Sequence, residues 1–407
     1  MKIFLLLPFL LFALVSTAQK KVLDHTVYND WKSLKNQSIS NNGRFVTYEI
    51  NPHRGDGYLY LFDTKTAVLD SFYRAEAAEF SDNSEYFVYK LTPGFDTLRK
   101  CELEKVDKKK WPKDTLVLLS LTTKERIEIP QIKSYSLSKN GSWMAYLIDS
   151  TYQQPKPEVV EPKKQGFFAR VFNIKEEVKP EVKEKKVSSK GHYLYLSQPF
   201  SGEVKEFKNV TEYLFSPKEG YLAFTENEKI DTVQQDRLKI YDLSKKSTLM
   251  LEANTQGVAK MNFSENDQLI GYLRTLDTSE AKNYGLKLYD IRDQKPYMTL
   301  DSNSMDIPGG KAISTNQSLV FTKNGEYLFF GVSEAEIQKE KDSLLSSEKA
   351  KLDLWHYDDN RLQPQQLLEL KRDQKKSELY LIQLDGFKIV ALENDTMSTR
   401  SNANIKG

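Results

Sequence analysis

The residues that could perform covalent chemistry in this chain are few and widely separated. Ser333 lies in the segment Gly331-Val332-Ser333-Glu334-Ala335, which approaches the Gly-x-Ser-x-Gly pattern of hydrolase nucleophiles but ends in alanine. The segment falls between a predicted strand and a predicted helix, and His356 is the only histidine that follows it. The pattern is incomplete, so we do not assign Ser333 as a nucleophile. The sequence predicts no catalytic residue.

Metal and cofactor motifs are equally weak. Zinc sites need His or Cys pairs at short spacing, and the four histidines are scattered. They are His25, His53, His192 and His356. Asp301–Asp306 begins like a calcium loop, but Met305 occupies a ligand position and the bidentate glutamate is missing. No glycine-rich phosphate loop appears. We therefore predict neither a metal nor a cofactor.

Composition narrows the classes of protein further. Lys and Arg number 59 against 57 acidic residues, and the net charge of +2 gives no electrostatic case for binding nucleic acid. Hydrophobic residues make up 39% of the 407 residues, and Tyr and Phe, which favour strands, are abundant. The single cysteine, Cys101, cannot form an internal disulfide and has no general-base partner nearby. The fold must therefore be stabilised by packing.

The first eighteen residues have the features of a secretory signal peptide. Lys2 is followed by the apolar stretch Ile3–Val15 and by the small residues Ser16, Thr17 and Ala18. A membrane anchor is the alternative, but the stretch is shorter than the ~20 apolar residues that span a bilayer. The sequence thus predicts a signal peptide at 1–18, a periplasmic or secreted protein, and no integral membrane segment after cleavage.

One short phrase recurs six times: an apolar or aromatic residue, Ser or Thr, a polar turn, and an apolar-aromatic run. Its Ser/Thr positions are Ser40, Ser81, Ser138, Ser216, Ser264 and Thr322. Three copies have Asn-Gly in the turn, which predicts two-residue hairpins, whereas the other three predict slightly longer turns. The runs after the turns are continuously apolar, so their strands are expected to be buried on both faces.

A further apolar strand follows each phrase. These strands are Tyr58–Asp63, Thr115–Leu119, His192–Leu196, Leu238–Asp242, Leu286–Asp290 and Lys351–Trp355. Several end in a polar turn that leads to a fourth strand. Four strands per repeat predict an all-β fold, a β-propeller of about seven blades, in a domain spanning residues 19–407.

Three segments depart from this repeat. Residues 151–190 are rich in Pro, Lys and Glu and are predicted to be a disordered insertion. Within it, the apolar island Phe167–Phe172 is expected to dock on the parent protein, with contact to a partner or a membrane as the alternative. Residues 334–351 predict a short amphipathic helix inserted in the sixth blade. Residues 378–407 predict an incomplete last blade.

The chain resembles the N-terminal β-propeller of secreted prolyl oligopeptidase family (S9) serine peptidases, of the kind found in Bacteroidota. The resemblance is most specific in the opening block Leu23–Leu34, which continues into Ser38–Gly43 and Tyr48–Pro52. Gly57–Phe62 and Pro112–Leu116 are also similar to the family. The later blade phrases are common to propellers in general.

The resemblance implies a partner domain and a role. In that family an α/β-hydrolase domain carrying Ser, Asp and His follows the propeller, which restricts access to them. No residue of this sequence matches those catalytic positions. We therefore expect a non-catalytic, substrate-gating propeller that works with a hydrolase domain and passes short peptides through its channel. The alternative is a stand-alone exported propeller that binds a peptide, a glycan or a protein.

Overall fold

A computed structural model describes residues 27–28, 31–149, 191–230, 233–278, 281–301, 304–336 and 354–393. The predicted signal peptide at 1–18 and the insertion at 151–190, with its apolar island, lie outside the described residues. So does nearly all of the predicted helix at 334–351. The chain separates into two compact units, Met1–Ile129 and Pro130–Gly407.

The first unit contains two four-stranded antiparallel sheets. Sheet 1 consists of β1 (Lys32–Ile39), β2 (Phe45–Pro52), β3 (Tyr58–Asp63) and β4 (Val68–Tyr73). Sheet 2 consists of β5 (Ala75–Phe80), β6 (Tyr86–Leu91), β7 (Thr115–Ser120) and β8 (Arg126–Ile129). Helix α1 (Phe95–Leu103) and a 3-10 turn (Lys108–Lys110) connect β6 to β7.

The second unit begins with two sheets that share a long strand. Sheet 3 consists of β9 (Ile132–Leu137), β10 (Met144–Ile148), β11 (His192–Ser197) and the first half of β12 (Val204–Phe215). Sheet 4 consists of the second half of β12, β13 (Tyr221–Ile230), β14 (Val233–Asp242) and β15 (Ser247–Thr255). The change of partner occurs at Val210, which pairs with both β11 and β13.

Two further sheets complete the second unit. Sheet 5 consists of β16 (Gly257–Phe263), β17 (Leu269–Thr275), β18 (Gly285–Asp290) and β19 (Lys295–Leu300). Sheet 6 consists of β20 (Lys311–Ile313), β21 (Val320–Phe321), β22 (Tyr327–Glu334), β23 (Glu378–Gln383) and β24 (Ile389–Ala391). Strands β20 and β21 both pair with β22, and together they occupy the position of the first strand of sheet 6. Helix α2 (Gln363–Asp373) precedes β23.

The prediction of an all-β fold made of propeller blades is confirmed. In each sheet the strands are antiparallel and follow one another in chain order, which is the arrangement of a blade. The predicted third strands of the first five repeats are β3, β7, β11, β14 and β18. The described residues contain six such sets of strands, of which sheets 3 and 4 are continuous through β12 as one seven-stranded sheet.

The assignment of the last strands is corrected. The sequence predicts the start of an incomplete seventh blade at residues 378–407, whereas β23 pairs with β22 and is the third strand of sheet 6. Tyr380 pairs with Phe330, so β23 completes an apolar face that β22 alone could not bury. The sequence predicts Lys351–Trp355 as the third strand of this repeat. Only the last two residues of that segment are described, and they lie outside strands.

The recurring Ser/Thr closes each turn through its hydroxyl group. In all six copies the side-chain oxygen accepts a hydrogen bond from the backbone N–H five residues later, at 2.9–3.1 Å. The backbone N–H of the same Ser/Thr donates to the carbonyl of that later residue. The hydroxyl is therefore a structural acceptor and not a nucleophile.

All six turns have one conformation, and the prediction of two turn classes is wrong. The residue three positions after the Ser/Thr has a positive φ whether or not it is glycine. These residues are Gly43, Ser84, Gly141, Glu219, Asp267 and Gly325. The turns are also longer than two residues, because the Ser/Thr hydroxyl extends the hydrogen-bonded loop past the Asn-Gly pair.

The non-glycine residues at this position contact the turn of the preceding sheet. Asp267 of sheet 5 accepts hydrogen bonds from Ser216 Oγ (2.5 Å), Lys218 N (3.0 Å) and Gly220 N (3.1 Å) of sheet 4. Ser84 Oγ accepts from Asn42 N (3.2 Å) in the same way. These bonds offset the cost of a left-handed backbone at a residue with a side chain. They also fix the position of one sheet relative to the next.

The sheets pack face to face by one rule. Consecutive residues of a strand point to opposite faces. We call the face that meets the next sheet of the same unit the forward face, and the opposite face the backward face. In the first unit the forward face of sheet 1 meets the backward face of sheet 2. The residues in this contact are Phe45, Leu59 and Leu61 against Phe87, Tyr89, Val117 and Leu119.

The same rule holds three times in the second unit. Ala145 and Leu194 of sheet 3 pack with Phe224 of sheet 4. The forward face of sheet 4 meets Ile270 of sheet 5, and the forward face of sheet 5 meets Phe330 of sheet 6. Every one of these contacts is apolar and buried, which is why the strands carry apolar residues on both faces.

Loss of a turn hydroxyl should destabilise the fold, and Ser264 is a clear case. Ser264 is buried, and its Oγ accepts a hydrogen bond from Leu269 N at 2.9 Å. Ser264→Ala should destabilise the chain by roughly 1–3 kcal/mol, because a buried N–H loses its side-chain acceptor. Ser264→Thr is the matched control, since Thr322 occupies this position in the sixth repeat. Urea unfolding of the three proteins measures the effect, and equal midpoints for Ala and wild type would contradict it.

Candidate functional site

A cavity of about 500 Å³ lies in the second unit, where the first strands of sheets 3, 4 and 5 converge. The residues that line it are Ser134, Tyr135 and Ser136 of β9, Leu147 of β10, Thr211, Glu212, Tyr213 and Leu214 of β12, and Ala259, Lys260 and Met261 of β16. The lining thus combines hydroxyl groups, a carboxylate, an ammonium group and apolar side chains.

Irregularities in strand pairing place these side chains in the cavity. The register of β12 against β13 shifts between Val210 and Glu212, and that of β16 against β17 shifts between Ala259 and Asn262. Lys260, inside the second shift, has a φ of 54°. A bulge adds one residue to a strand and redirects the side chains beside it. The bulges therefore aim Glu212 and Lys260 at a space that a regular ladder would not offer them.

Glu212 is the acidic group of the cavity. Its side chain is open to solvent, yet the cavity walls remove part of its hydration and raise its pKa. The ammonium group of Lys260 opposes this increase in pKa, whereas the carboxylate of Asp236 adds to it. Asp236 is itself held by hydrogen bonds from Asn227 Nδ2 (2.5 Å) and Val258 N (3.1 Å). The cavity therefore contains one carboxylate and one ammonium group, Glu212 and Lys260.

Hydroxyl groups form the remaining polar wall. Tyr213 Oη lies 3.3 Å from Ser134 Oγ and 3.4 Å from the Ala145 carbonyl, and burial raises the pKa of Tyr213 to about 12. Thr211 Oγ1 lies 2.8 Å from Thr225 Oγ1. These groups are neutral at physiological pH and can donate or accept hydrogen bonds. They suit a ligand with both amide N–H and carbonyl groups.

Strand edges also reach the cavity. Among the described strands, β9 pairs only with β10 and β16 pairs only with β17. The second half of β12 pairs with β13 on one side, since β11 pairs with the first half. An edge strand presents backbone N–H and C=O groups that an extended peptide can pair with.

The lining residues carry no sequence motif, and no pattern in the sequence singles them out. Glu212, Lys260 and Tyr213 come from two repeats and are polar residues among many in the chain. The one sequence feature that these three residues share is their position: each lies a few residues before the Ser/Thr of its repeat, in the first strand. Their convergence depends on two bulges that the sequence pattern does not reveal.

The structure places Ser333 inside strand β22. Ser333 pairs with Ala312, and its hydroxyl donates to the Glu334 carbonyl at 3.4 Å. His356 is exposed, and its Nδ1 accepts a hydrogen bond from Asp358 N at 3.2 Å.

Of the histidines, His192 has the most distinctive surroundings. It is buried at the start of β11, with Lys133 Nζ 2.5 Å from its Nε2 and Asp149 Oδ1 3.8 Å from its Nδ1. Burial and the Lys133 charge lower its pKa, whereas Asp149 opposes the change. His53 follows β2, and its backbone N–H donates to the Trp31 carbonyl at 3.2 Å, whereas His25 lies outside the described residues.

A second charged cluster lies between sheets 4 and 5. The buried Glu252 carboxylate accepts hydrogen bonds from Tyr272 Oη (2.9 Å) and Lys287 Nζ (2.5 Å), and Arg274 lies 3.6 Å away. Burial and the neighbouring carboxylate raise the pKa of Tyr272. Because these groups satisfy one another across the contact of two sheets, we interpret the cluster as structural.

The described part of the chain holds neither a metal-binding cluster nor a membrane-spanning helix. It contains no group of three or more His, Cys, Asp or Glu side chains that could hold a metal ion. None of its helices is long and apolar enough to cross a bilayer. The calcium-like segment Asp301–Asp306 is only partly described, and Met305 within it is fully exposed. Cys101 is half-buried in α1.

Comparisons with known proteins identify only distant likenesses. No protein-family model and no curated protein matches the chain. Among solved structures it is similar to TolB from Acinetobacter baumannii, at 11% identity over 89% of this chain and 79% of that one, with a TM-score of 0.33. The β-propeller domain of the trilobed protease from Pyrococcus furiosus is 9% identical, with 75% and 80% covered and a TM-score of 0.37.

A peptidase shows a likeness of the same strength. The acylaminoacyl peptidase of Pyrococcus horikoshii is 9% identical over 78% of this chain, with a TM-score of 0.37. The match spans 48% of that peptidase, about half its length. At these TM-scores the likenesses carry no argument about function, and the fold assignment rests on the strand pairing of the chain itself.

His192 should make the stability of the chain depend on pH. Because its pKa is lowered in the folded chain, the unfolded state binds more protons, so stability is complete above the ordinary value of about 6.5 and decreases as the pH falls below it. His192→Gln should show a smaller loss of stability between neutral and mildly acidic pH. Thermal unfolding across this pH range measures it, with exposed His356→Gln as the control. A parallel pH dependence in wild type and His192→Gln would contradict the prediction.

Proposed function

We propose that this chain is a non-catalytic propeller module that binds short peptides in the cavity formed by β9, β12 and β16. The observation that carries the proposal is the convergence of three strands, each with an edge that no other described strand pairs with, around a space lined by hydroxyl groups, Glu212 and Lys260. Such edges offer backbone hydrogen bonds in the alternating pattern that an extended peptide requires. The side chains add specificity to that pairing.

The charges and hydroxyl groups of the cavity suit a peptide better than a purely apolar ligand. Glu212 can accept hydrogen bonds from peptide N–H groups, and Lys260 can donate to a peptide carbonyl. Leu147 and Met261 provide apolar contact for a side chain. The volume of about 500 Å³ lies within the usual range of small-ligand sites and limits the ligand to a short segment.

The finer role, gating of substrates for a serine peptidase of the prolyl oligopeptidase type, rests on the sequence resemblance in Leu23–Leu34 and the blocks that follow. In this proposal a hydrolase domain supplies the nucleophile and the propeller admits short peptides to it. Sequencing the DNA beyond the Gly407 codon separates this role from that of a stand-alone binding module. A downstream frame with Gly-x-Ser-x-Gly supports gating.

Export is part of the same proposal. The segment 1–18 has the features of a signal peptide, so we expect a periplasmic or secreted protein that begins at Gln19. Intact mass measurement of the protein from the exported fraction tests this. A protein that keeps residues 1–18 in the cytoplasmic fraction would refute it.

Glu212→Gln should weaken peptide binding by about tenfold or more, because a hydrogen bond to a charged group contributes ~1.5–3 kcal/mol. Calorimetric titration of the full chain with short synthetic peptides containing Ala and Pro gives the affinities. Glu265→Gln, which changes an exposed carboxylate in the β16–β17 turn, is the matched control and should bind like wild type. Equal affinities for all three proteins would remove Glu212 from the site, and no binding by wild type would refute the proposed function.

The chain alone should not hydrolyse chromogenic peptides linked through Ala or Pro. The reason is that Ser333, the nearest match to a nucleophile motif, is paired within β22. The assay follows release of the chromophore, with a serine-directed phosphonate as the inhibitor. Turnover that the phosphonate abolishes would show that the module is itself catalytic.

A further inference from the structure

Two side chains of opposite charge face the cavity of the second unit without touching one another. Glu212 of β12 and Lys260 of β16 both line the space of about 500 Å³. Within the part of the chain that the structure describes, neither the carboxylate nor the ammonium group forms an ion pair or a hydrogen bond. The cavity therefore offers a ligand one unpaired negative group and one unpaired positive group.

Other charged side chains of sheets 4 and 5 are satisfied by partners within the chain. Three ion pairs of these sheets are Glu226–Lys239 at 2.7 Å, Glu228–Arg237 at 2.8 Å and Glu252–Lys287 at 2.5 Å. A charge that loses part of its hydration lowers stability unless a partner of opposite charge replaces the water. Glu212 and Lys260 differ from the three pairs, and a bound ligand can supply the partner that each of them needs.

The pKa of Glu212 agrees with this geometry. Partial burial raises the pKa, and the Asp236 carboxylate adds to the increase. The Lys260 charge opposes the increase without reversing it. A carboxylate in direct contact with an ammonium group has a lowered pKa instead. Lys260 is therefore close enough to act on Glu212 through space, and the space between the two groups remains open to a ligand.

A ligand that satisfies both groups must carry an ammonium group and a carboxylate. A purely cationic ligand would leave Lys260 unpaired, and a purely anionic one would leave Glu212 unpaired. A short peptide with free termini has one charge of each sign, at opposite ends. Because each residue of an extended chain adds about 3.3–3.6 Å, only a few residues separate two termini held within one small cavity.

We propose that the cavity is specific for short peptides with both termini free, binding the α-ammonium group at Glu212 and the α-carboxylate at Lys260. This inference rests on the proposed function, peptide binding in the same cavity, and adds the class of peptide. The peptide groups between the termini lie within reach of the hydroxyl wall that includes Ser134 and Tyr213. An internal segment of a longer chain has no terminal charges, so it would leave both side chains unpaired.

Blocked peptides test the proposal on the unmodified protein. Calorimetric titration of the full chain uses the tripeptides Ala-Ala-Ala and Ala-Pro-Ala, each with free termini, N-acetylated, C-amidated or blocked at both ends. Each block removes one hydrogen bond between charged groups, so each should weaken binding to wild type by about tenfold or more. The doubly blocked forms should bind most weakly.

Two variants assign each terminus to one side chain. Glu212→Gln should bind the free and the N-acetylated peptides with equal affinity and should still discriminate against the amidated form. Lys260→Gln should show the reverse pattern. This crossed pattern measures the coupling between one terminus and one side chain, and a merely structural effect does not produce it. The matched controls are Glu265→Gln and Lys323→Gln, which change exposed residues in turns and should discriminate like wild type.

The outcomes separate this inference from the function on which it rests. Equal affinity of wild type for free and blocked peptides would overturn the inference and leave peptide binding in place. Variants that are folded by circular dichroism and keep the discrimination of wild type would also overturn it. Failure of wild type to bind any of the peptides would refute the proposed function, and the inference with it.

Discussion

The structure depends on one constraint: its sheets are apolar on both faces, so each face needs another sheet against it. β6 and β7 show this most clearly, because nine of their twelve residues are buried. A sheet of this composition cannot remain single in water, since each exposed face would lose the free energy of burial. Stacking of the sheets in chain order buries these apolar faces. It produces the four forward-to-backward contacts within the two units.

Apolar contact alone does not fix the position of one sheet along the next. Hydrogen bonds between the turns of neighbouring sheets fix it. The Ser/Thr hydroxyl closes each turn on its own strand, while Ser84 and Asp267 hydrogen-bond the turn of the preceding sheet. A left-handed residue is costly unless it is glycine, so the retention of Asp267 there follows from its three hydrogen bonds. Glycine at this turn position adopts the left-handed conformation without strain. Ser84 and Asp267 at the same position instead hydrogen-bond the preceding sheet and fix its position.

The sequence was sufficient for the parts of the fold that depend on local pattern. Six Ser/Thr phrases and the continuous apolar runs predicted four-stranded blades, and the Asn-Gly pairs predicted a positive φ at Gly43, Gly141 and Gly325. It was insufficient where pairing is decided by distant residues. β23 joins β22 across a long connection, and a strand pattern does not state which sheet a strand completes.

The cavity could not be predicted for a related reason. Its polar side chains are aimed by bulges, and one extra residue in β12 or β16 leaves no mark on the composition of those strands. In a stack of two-faced sheets, a buried charged group needs partners, as Glu252 has in Lys287 and Glu49 has in the Ala77 N–H. The first strands are different, because their free edges border space that the neighbouring sheet does not fill. Glu212 and Lys260 can remain hydrated there, so the packing that makes the faces apolar also leaves this cavity as the place where polar recognition is compatible with the fold.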